Sequence, residues 1–243
     1  MTTFADIPKP IRAGIVTVDV DTGAALGVIV LQFNPDSLDR SIQPQAAGGT
    51  TDTSGAGTDG DKNEALRLKG PAEEQWKFTA EIDSTDQLEI GAPDGIGPQL
   101  AALEMLVQPT TEQLTEATTK SAKGAIEINP IETPLTLFTW GNKRVVPVRV
   151  TELEVTEQAF DVNLNPIRAS LSIGLKVLTV SDLPAGHPGA AYYVAYLAGK
   201  QRLAGQATGG RLGALGLSGI GPGGASAGVG AGPAAARTWK TDT

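Results

Sequence analysis

Residues 166–177, PIRASLSIGLKV, constrain this chain more than any other stretch. Ile167, Ala169, Leu171, Ile173, Leu175 and Val177 fall at every second position, with Arg168, Ser170, Ser172 and Lys176 between them. Side chains alternate between the two faces of a strand, so this spacing predicts a β-strand with one face in a core and the other in solvent. The same residues on a helix would spread their apolar groups around the axis and bury no common side. A strand needs neighbours, so the chain must supply more of them.

It does. In residues 145–160, VVPVRVTELEVTEQAF, Val146, Val148 and Val150 share a face, and Leu153 and Val155 continue it with the opposite parity. The change of parity predicts a β-bulge near Thr151. Pro147 has no N–H to give and predicts an edge or bulge around itself. PLTLFTW, 134–140, precedes this strand across a GNKR hairpin turn, and DVNLNP makes the next turn. Earlier, IRAGIVTVDV (11–20) and LGVIVLQF (26–33) predict a hairpin, NPDS breaks it, and LDRSIQ extends as an edge. QWKFTAEID, 75–83, puts Trp76, Phe78, Ala80 and Ile82 on one face. PQLAALEMLVQP, 98–109, reads as the body's helix, opened by Pro98, stopped by Pro109, with a stripe of Leu100, Leu103, Met105, Leu106 and Val107.

These segments predict a mainly β, antiparallel domain over residues 1–182 with a flanking helix. QAAGGTTDTSGAGTDGDKN, 45–63, has no apolar period and predicts a long mobile loop, since nothing there repays the entropy of ordering it. After Pro184 the composition shifts. Residues 183–203 predict a helical extension, with the helix itself over 189–203. Residues 204–243 predict a flexible Gly/Ala-rich tail, which holds a large part of the chain's 30 glycines.

The net charge is −8, unevenly spread. Residues 183–243 carry Lys200, Arg202, Arg211, Arg237 and Lys240 against Asp242 alone, so the excess of acid lies in the body. An acidic body does not attract phosphate backbones, which argues against nucleic acid as a partner. No apolar run reaches the roughly 20 residues that span a bilayer. The N-terminus, MTTFADIPKPIRAG, lacks the basic-then-apolar pattern of a signal peptide. The expectation is a protein made in the cytoplasm.

Catalytic chemistry finds little support. Cysteine is absent, so no thiolate nucleophile or thiolate metal site exists. The one histidine, His187, stands between Gly186 and Pro188 with no nucleophile or orienting acid in evidence, and reads as a linker residue. GIGPGG, 219–224, matches a dinucleotide fingerprint by composition only, because no strand and helix flank it. DGDKNE, 59–64, begins like a calcium loop but has Glu64 where glycine is needed and Gly70 where the closing glutamate is needed. Glu73 with Glu74 and Glu152 with Glu154 are carboxylate pairs without a pocket, and Glu152 with Glu154 read as a solvated sheet face. No enzyme, cofactor or metal is expected.

Three ordered segments carry a resemblance. They are VIVLQFNPDSLDRSI (28–42), with Phe33-Asn34-Pro35 at the end of a strand; LTLFTWGNKRVVPVRVTELEVTEQAF (135–160), with Trp140-Gly141 at the hairpin; and NPIRASLSIGLKV (165–177), with Pro166, Arg168 and Ala169 opening the last strand. In this order and spacing the chain, over about residues 10–180, resembles the N-terminal domain of contractile injection system tube proteins. The resemblance implies a tail-tube-like β-sandwich or barrel with a flanking helix, in subunits that pack side by side into a six-fold ring around a lumen. It implies a baseplate adaptor that joins the central spike to the inner tube and initiates the tube. Its implied partners are further copies of itself, the spike protein, the tube protein and other baseplate components, in an assembled injection particle. Many relatives add a C-terminal LysM module, which the Gly/Ala-rich tail of this chain cannot form.

Phe33, Asn34, Pro35, Trp140, Gly141 and Pro166 are therefore the candidate fold determinants, with Phe33 and Trp140 expected in the core and Asn34-Pro35 and Asn165-Pro166 setting turns. Arg168 is the candidate contact to a neighbour, and Trp239 the candidate anchor for docking the tail. Two rival readings stand beside the adaptor. One is the bulk tube subunit, which needs no such tail. The other is a carbohydrate-binding β-module, which needs an exposed aromatic platform from a chain that is only 5% aromatic.

Overall fold

The computed structural model describes residues 11–46, 67–84, 94–122 and 133–207. The chain divides into two compact units, Met1–Lys200 and Gln201–Thr243. The expected loop over 45–63 lies outside the described residues beyond Ala46, as does the tail beyond Ala207.

The first unit is mainly β. Its strands are β1 (Gly14–Val18), β2 (Ala25–Val30), β3 (Asp39–Gln43), β4 (Glu73–Asp83), β5 (Leu135–Thr139), β6 (Val145–Phe160) and β7 (Pro166–Val177). They form one seven-stranded sheet in the order β2-β1-β5-β6-β7-β4-β3. Every pairing is antiparallel. The sheet is not closed into a barrel; β2 and β3 are its edges. It does curl: the Gln32 amide beyond β2 donates to Asp83 O at 2.7 Å and accepts from Asp83 N at 2.8 Å, drawing the end of β2 to the end of β4.

The alternation read from sequence is the alternation of burial. In β4, Trp76, Phe78, Ala80 and Ile82 are buried and the residues between them exposed. In β7, Ala169, Leu171, Ile173, Leu175 and Val177 are buried. Strand β6 buries Val146 and Val148, shifts register between Val150 and Glu152, and resumes with Leu153 and Val155 against the core. The bulge is where the parity change placed it.

Pro147 is neither at a free edge nor in the bulge; it lies inside β6, opposite Leu137 of β5. Its carbonyl accepts Leu178 N at 2.9 Å, one residue past the end of β7. N–H and C=O of a strand residue point the same way. The missing donor therefore faces the fraying end of β7, where one lost hydrogen bond costs the ladder least.

The aromatic centre of the core is Phe138, stacked on Phe78 at 5.2 Å and edge-on to Trp76 at 5.5 Å. Among the described residues three helices accompany the sheet: α1 (Gly97–Glu104), α2 (Thr111–Ala122) and α3 (Pro188–Gln206). Helix α1 buries Leu100 and Leu103, but ends five residues before Pro109. Leu106 N and Val107 N donate to the carbonyls three residues back, which tightens the chain and turns Met105 and Val107 out to solvent. The apolar pattern of the sequence does not predict α2. It begins at a capping box: Gln113 N donates to Thr110 Oγ1 at 3.3 Å, and Thr110 N to Gln113 Oε1 at 3.0 Å. It buries no side chain.

Helix α3 starts behind His187, whose Nδ1 accepts Gly189 N at 3.0 Å, so the lone histidine caps a helix. Tyr193 and Tyr196 of α3 complete the core. In the second unit the described residues, Gln201–Ala207, end this helix and are exposed.

Candidate functional site

The described residues hold no group of three His, Cys, Asp or Glu placed to bind a metal ion. They hold one buried acid. Glu74 lies on the core face of β4, with the same parity as Trp76 and Phe78, and is 3% exposed. Its carboxylate accepts Trp76 Nε1 at 2.7 Å, Tyr196 OH at 3.0 Å, Lys200 Nζ at 2.7 Å and Arg40 Nε at 2.9 Å, with Arg40 Nη2 closer still. Burial pushes the Glu74 carboxyl up, but the donors from Lys200, Arg40 and Trp76 outweigh it and hold it below the usual carboxylate range. Burial, and then the charge of Glu74, push the Tyr196 phenol well up. The Arg40 guanidinium lies 5.2 Å over the Trp76 ring, and Lys200 Nζ 4.2 Å over that of Tyr196. Two cations and two neutral donors hold this carboxylate ionised, Oε1 taking the bonds from Arg40, Trp76 and Tyr196 and Oε2 the one from Lys200. Its chemistry is to tie β3, β4 and α3 together.

The surfaces open to partners are edges, a tip and a face. On β2, Leu26, Val28 and Val30 are all exposed. Leu31 N donates to Ala13 O. Alternation then turns the backbone groups of Val28 and Val30 away from β1, toward the open edge. Val28, Val30 and Ile82 also line an apolar groove with Pro98, Ala102 and Leu103 of α1. At the other edge every residue of β3 is exposed.

At the β6–β7 tip, Val162 is 98% and Leu164 79% exposed. Asp161 makes that tip rigid, accepting Asn163 N at 2.7 Å, Asn165 N at 2.8 Å and Asn165 Nδ2 at 2.9 Å. The hydrogen bonds to Asn165, then the one from Asn163, hold the Asp161 carboxyl below its ordinary value. Leu164 sits there at φ 64°, a left-handed conformation that disfavours leucine. The outer face of β4, β6 and β7 is polar and self-paired, as in Lys77 with Glu152 at 3.0 Å and Arg168 with Asp83 at 2.6 Å.

The residues singled out from sequence scatter over this frame. Phe33 is 43% exposed and not in the core. The strand ends at Val30, Leu31 takes the inward position, and the chain turns before Phe33 can follow it. Asn34 makes that turn useful: its Oδ1 accepts Ala13 N and its Nδ2 donates to Ile11 O, both at 2.9 Å. Pro35 follows it. Trp140 is partly buried against Phe138, and Gly141 has φ 70° in the β5–β6 turn. Pro166 opens β7 and its carbonyl accepts Ile96 N at 2.9 Å, tying α1 to the sheet. Arg168 is engaged within the chain by Asp83. Trp239 lies outside the described residues. The sequence gives Glu74 no pocket; its parity with Trp76 and Phe78 is the signal that places it on the core face.

The family model of the contractile injection system tube protein matches residues 9–182. The chain belongs to that family. The match takes in every strand, α1 and α2, and stops before α3, so the tube-family body is the sheet with its two edges, and α3 lies beyond it. No curated protein matches the chain. Membership of a structural tube family accords with a site made of edges and faces. Among the described residues no helix is long and apolar enough to cross a membrane.

Proposed function

We propose that this tube-family chain is the baseplate adaptor of a contractile injection particle, seating the inner tube on the central spike and nucleating its growth. The observation that carries the reading is a tube-family sheet whose two edge strands, among the described residues, pair on one side only, with aliphatic side chains exposed along β2. An open edge is a hazard to a lone subunit, and a ring in which each copy's β2 side meets its neighbour's β3 side removes the hazard by closure. Six copies is the number the resemblance implies. The rigid apolar tip at Val162 and Leu164 supplies a further contact, to the next ring or to the spike. The adaptor is favoured over the bulk tube subunit by the chain's continuation past the family match into α3, which a simple repeating subunit does not need.

The test is deletion of the gene in its host, with the lysate imaged by negative-stain electron microscopy. The adaptor reading expects sheathed particles to vanish, or unanchored sheath alone to remain. Intact particles with spikes at normal numbers would refute it.

A further inference from the structure

Helix α3 lies beyond the tube-family match, which ends at residue 182, yet it completes the core through Tyr193 and Tyr196. Its charged and polar links to the sheet converge on one place. Tyr196 OH and Lys200 Nζ both donate to Glu74, and Arg40 Nη2 donates to Tyr196 OH at 3.0 Å. Arg40 belongs to β3, which is a weak element by itself. It has five residues, all exposed, and pairs along one side only, with Glu73–Lys77 of β4. A short edge strand without a buried side chain has little beyond its ladder to hold it. Leu38 just before it packs against the core and Gln45 Nε2 just after it donates to Glu73 at 3.1 Å; within the strand the anchor is Arg40, crossing to the shared carboxylate and lying over Trp76. Glu74 is therefore a junction at which the edge strand and the C-terminal helix hold the same group from two sides.

We propose that α3 is a strap: docked, it holds edge strand β3 in the sheet through the Glu74 junction, and undocked, it lets that edge loosen. The coupling runs both ways, as any coupling between two docking equilibria must. Tyr196 and Lys200 fix the carboxylate that Arg40 grips, and Arg40 in turn fixes the carboxylate and the phenol that anchor α3. The strap places the segment beyond the family body in control of one of its two edges. That consequence for assembly rests on the adaptor reading above; the strap itself does not.

The experiment is hydrogen exchange by mass spectrometry on the full-length chain, comparing wild type with Tyr196→Phe/Lys200→Met, which keeps the rings and the aliphatic stem but removes both donors. The strap predicts that exchange rises in α3 and in β3 together, by about tenfold in each, with β1 and α1 unchanged. Lys200→Arg, which keeps a donor and a charge, should restore most of the protection in both. Arg40→Met should loosen α3 as well as β3. Faster exchange in α3 with β3 unmoved would overturn the strap and leave α3 as simple cover. So would an equal rise in every segment, or no change at all. Ring formation by the wild-type chain is scored separately. A wild-type chain that never self-associates would count against the adaptor reading, while the exchange data still decide the strap.

Discussion

Gly174 of β7 pairs directly across from Glu152 of β6. A Cβ built on Gly174 would come within 2.9 Å of Glu152 Cβ and 3.3 Å of Thr151 Oγ1. The bulge in β6 causes this crowding, because two residues there face one residue of β7. Gly174→Ala should destabilise the protein by about 1–3 kcal/mol, through overpacking that neither strand can escape. Glu152→Gln, which ends only the exposed ion pair with Lys77, should change stability by no more than about 0.5 kcal/mol. Urea denaturation of the two variants tells geometry from charge.

Glu74→Gln should cost about 2–3 kcal/mol, because it leaves two cations and two neutral donors around a group that can satisfy fewer of them. The cost stays moderate since Arg40 and Lys200 are each partly exposed and can rehydrate. The same residue sets an acid limb. In the unfolded chain its carboxyl takes a proton near the ordinary value of about 4.3; in the folded chain it resists to lower pH. Its contribution is present above that ordinary value and is lost as pH falls through the folded one. Denaturant midpoints measured down the acid range should fall less steeply in Glu74→Gln than in wild type.

Tyr196 sets an alkaline limb of opposite origin. Burial and the Glu74 charge raise its folded pKa, so above the ordinary value of about 10 the unfolded chain ionises while the folded chain does not. Stability is therefore lost as pH rises past about 10. Tyr196→Phe, though less stable near neutrality, should show a flatter alkaline profile when denaturant midpoints are compared across that range.

Asn34 acts as a side-chain extension of the β1–β2 ladder. Asn34→Ala should cost about 1–2 kcal/mol, from two hydrogen bonds to backbone. Asn34→Asp keeps the acceptor for Ala13 N but sets a carboxylate against the Ile11 carbonyl, so it should be no better than alanine. Thermal melts of the two side by side check this.

Leu164 separates stability from assembly. Replacing it with asparagine, which tolerates φ near 64°, should leave the monomer as stable or up to about 1 kcal/mol more stable. The same change removes an exposed aliphatic from the rigid tip, and should weaken incorporation into particles. A variant that melts higher and co-purifies less with particles is the expected result.

Much of this fold is legible because its signals are local. The alternation in β4 and β7 and the parity change at Thr151 each sit in one short stretch, and burial followed them. Phe33 was misjudged because a strand pattern does not say where the strand stops, and here Asn34 stops it by reaching back to Ala13 and Ile11. Helix α2 escaped because its residues build no apolar stripe; only the Thr110–Gln113 capping box announces it. The Glu74 junction was out of reach for a different reason. Its partners lie 34 and 126 residues away, and no local pattern joins positions that only the sheet and α3 bring together.

The adaptor reading is tested most directly by counting copies. Intact particles, purified and sorted by length, can be analysed by quantitative mass spectrometry for the ratio of this chain to sheath subunit. An adaptor contributes a fixed number of copies per particle, so the ratio should fall as particles lengthen. A ratio that stays constant with length, with one ring of this chain for each ring of sheath, would make it the bulk tube subunit and contradict the account.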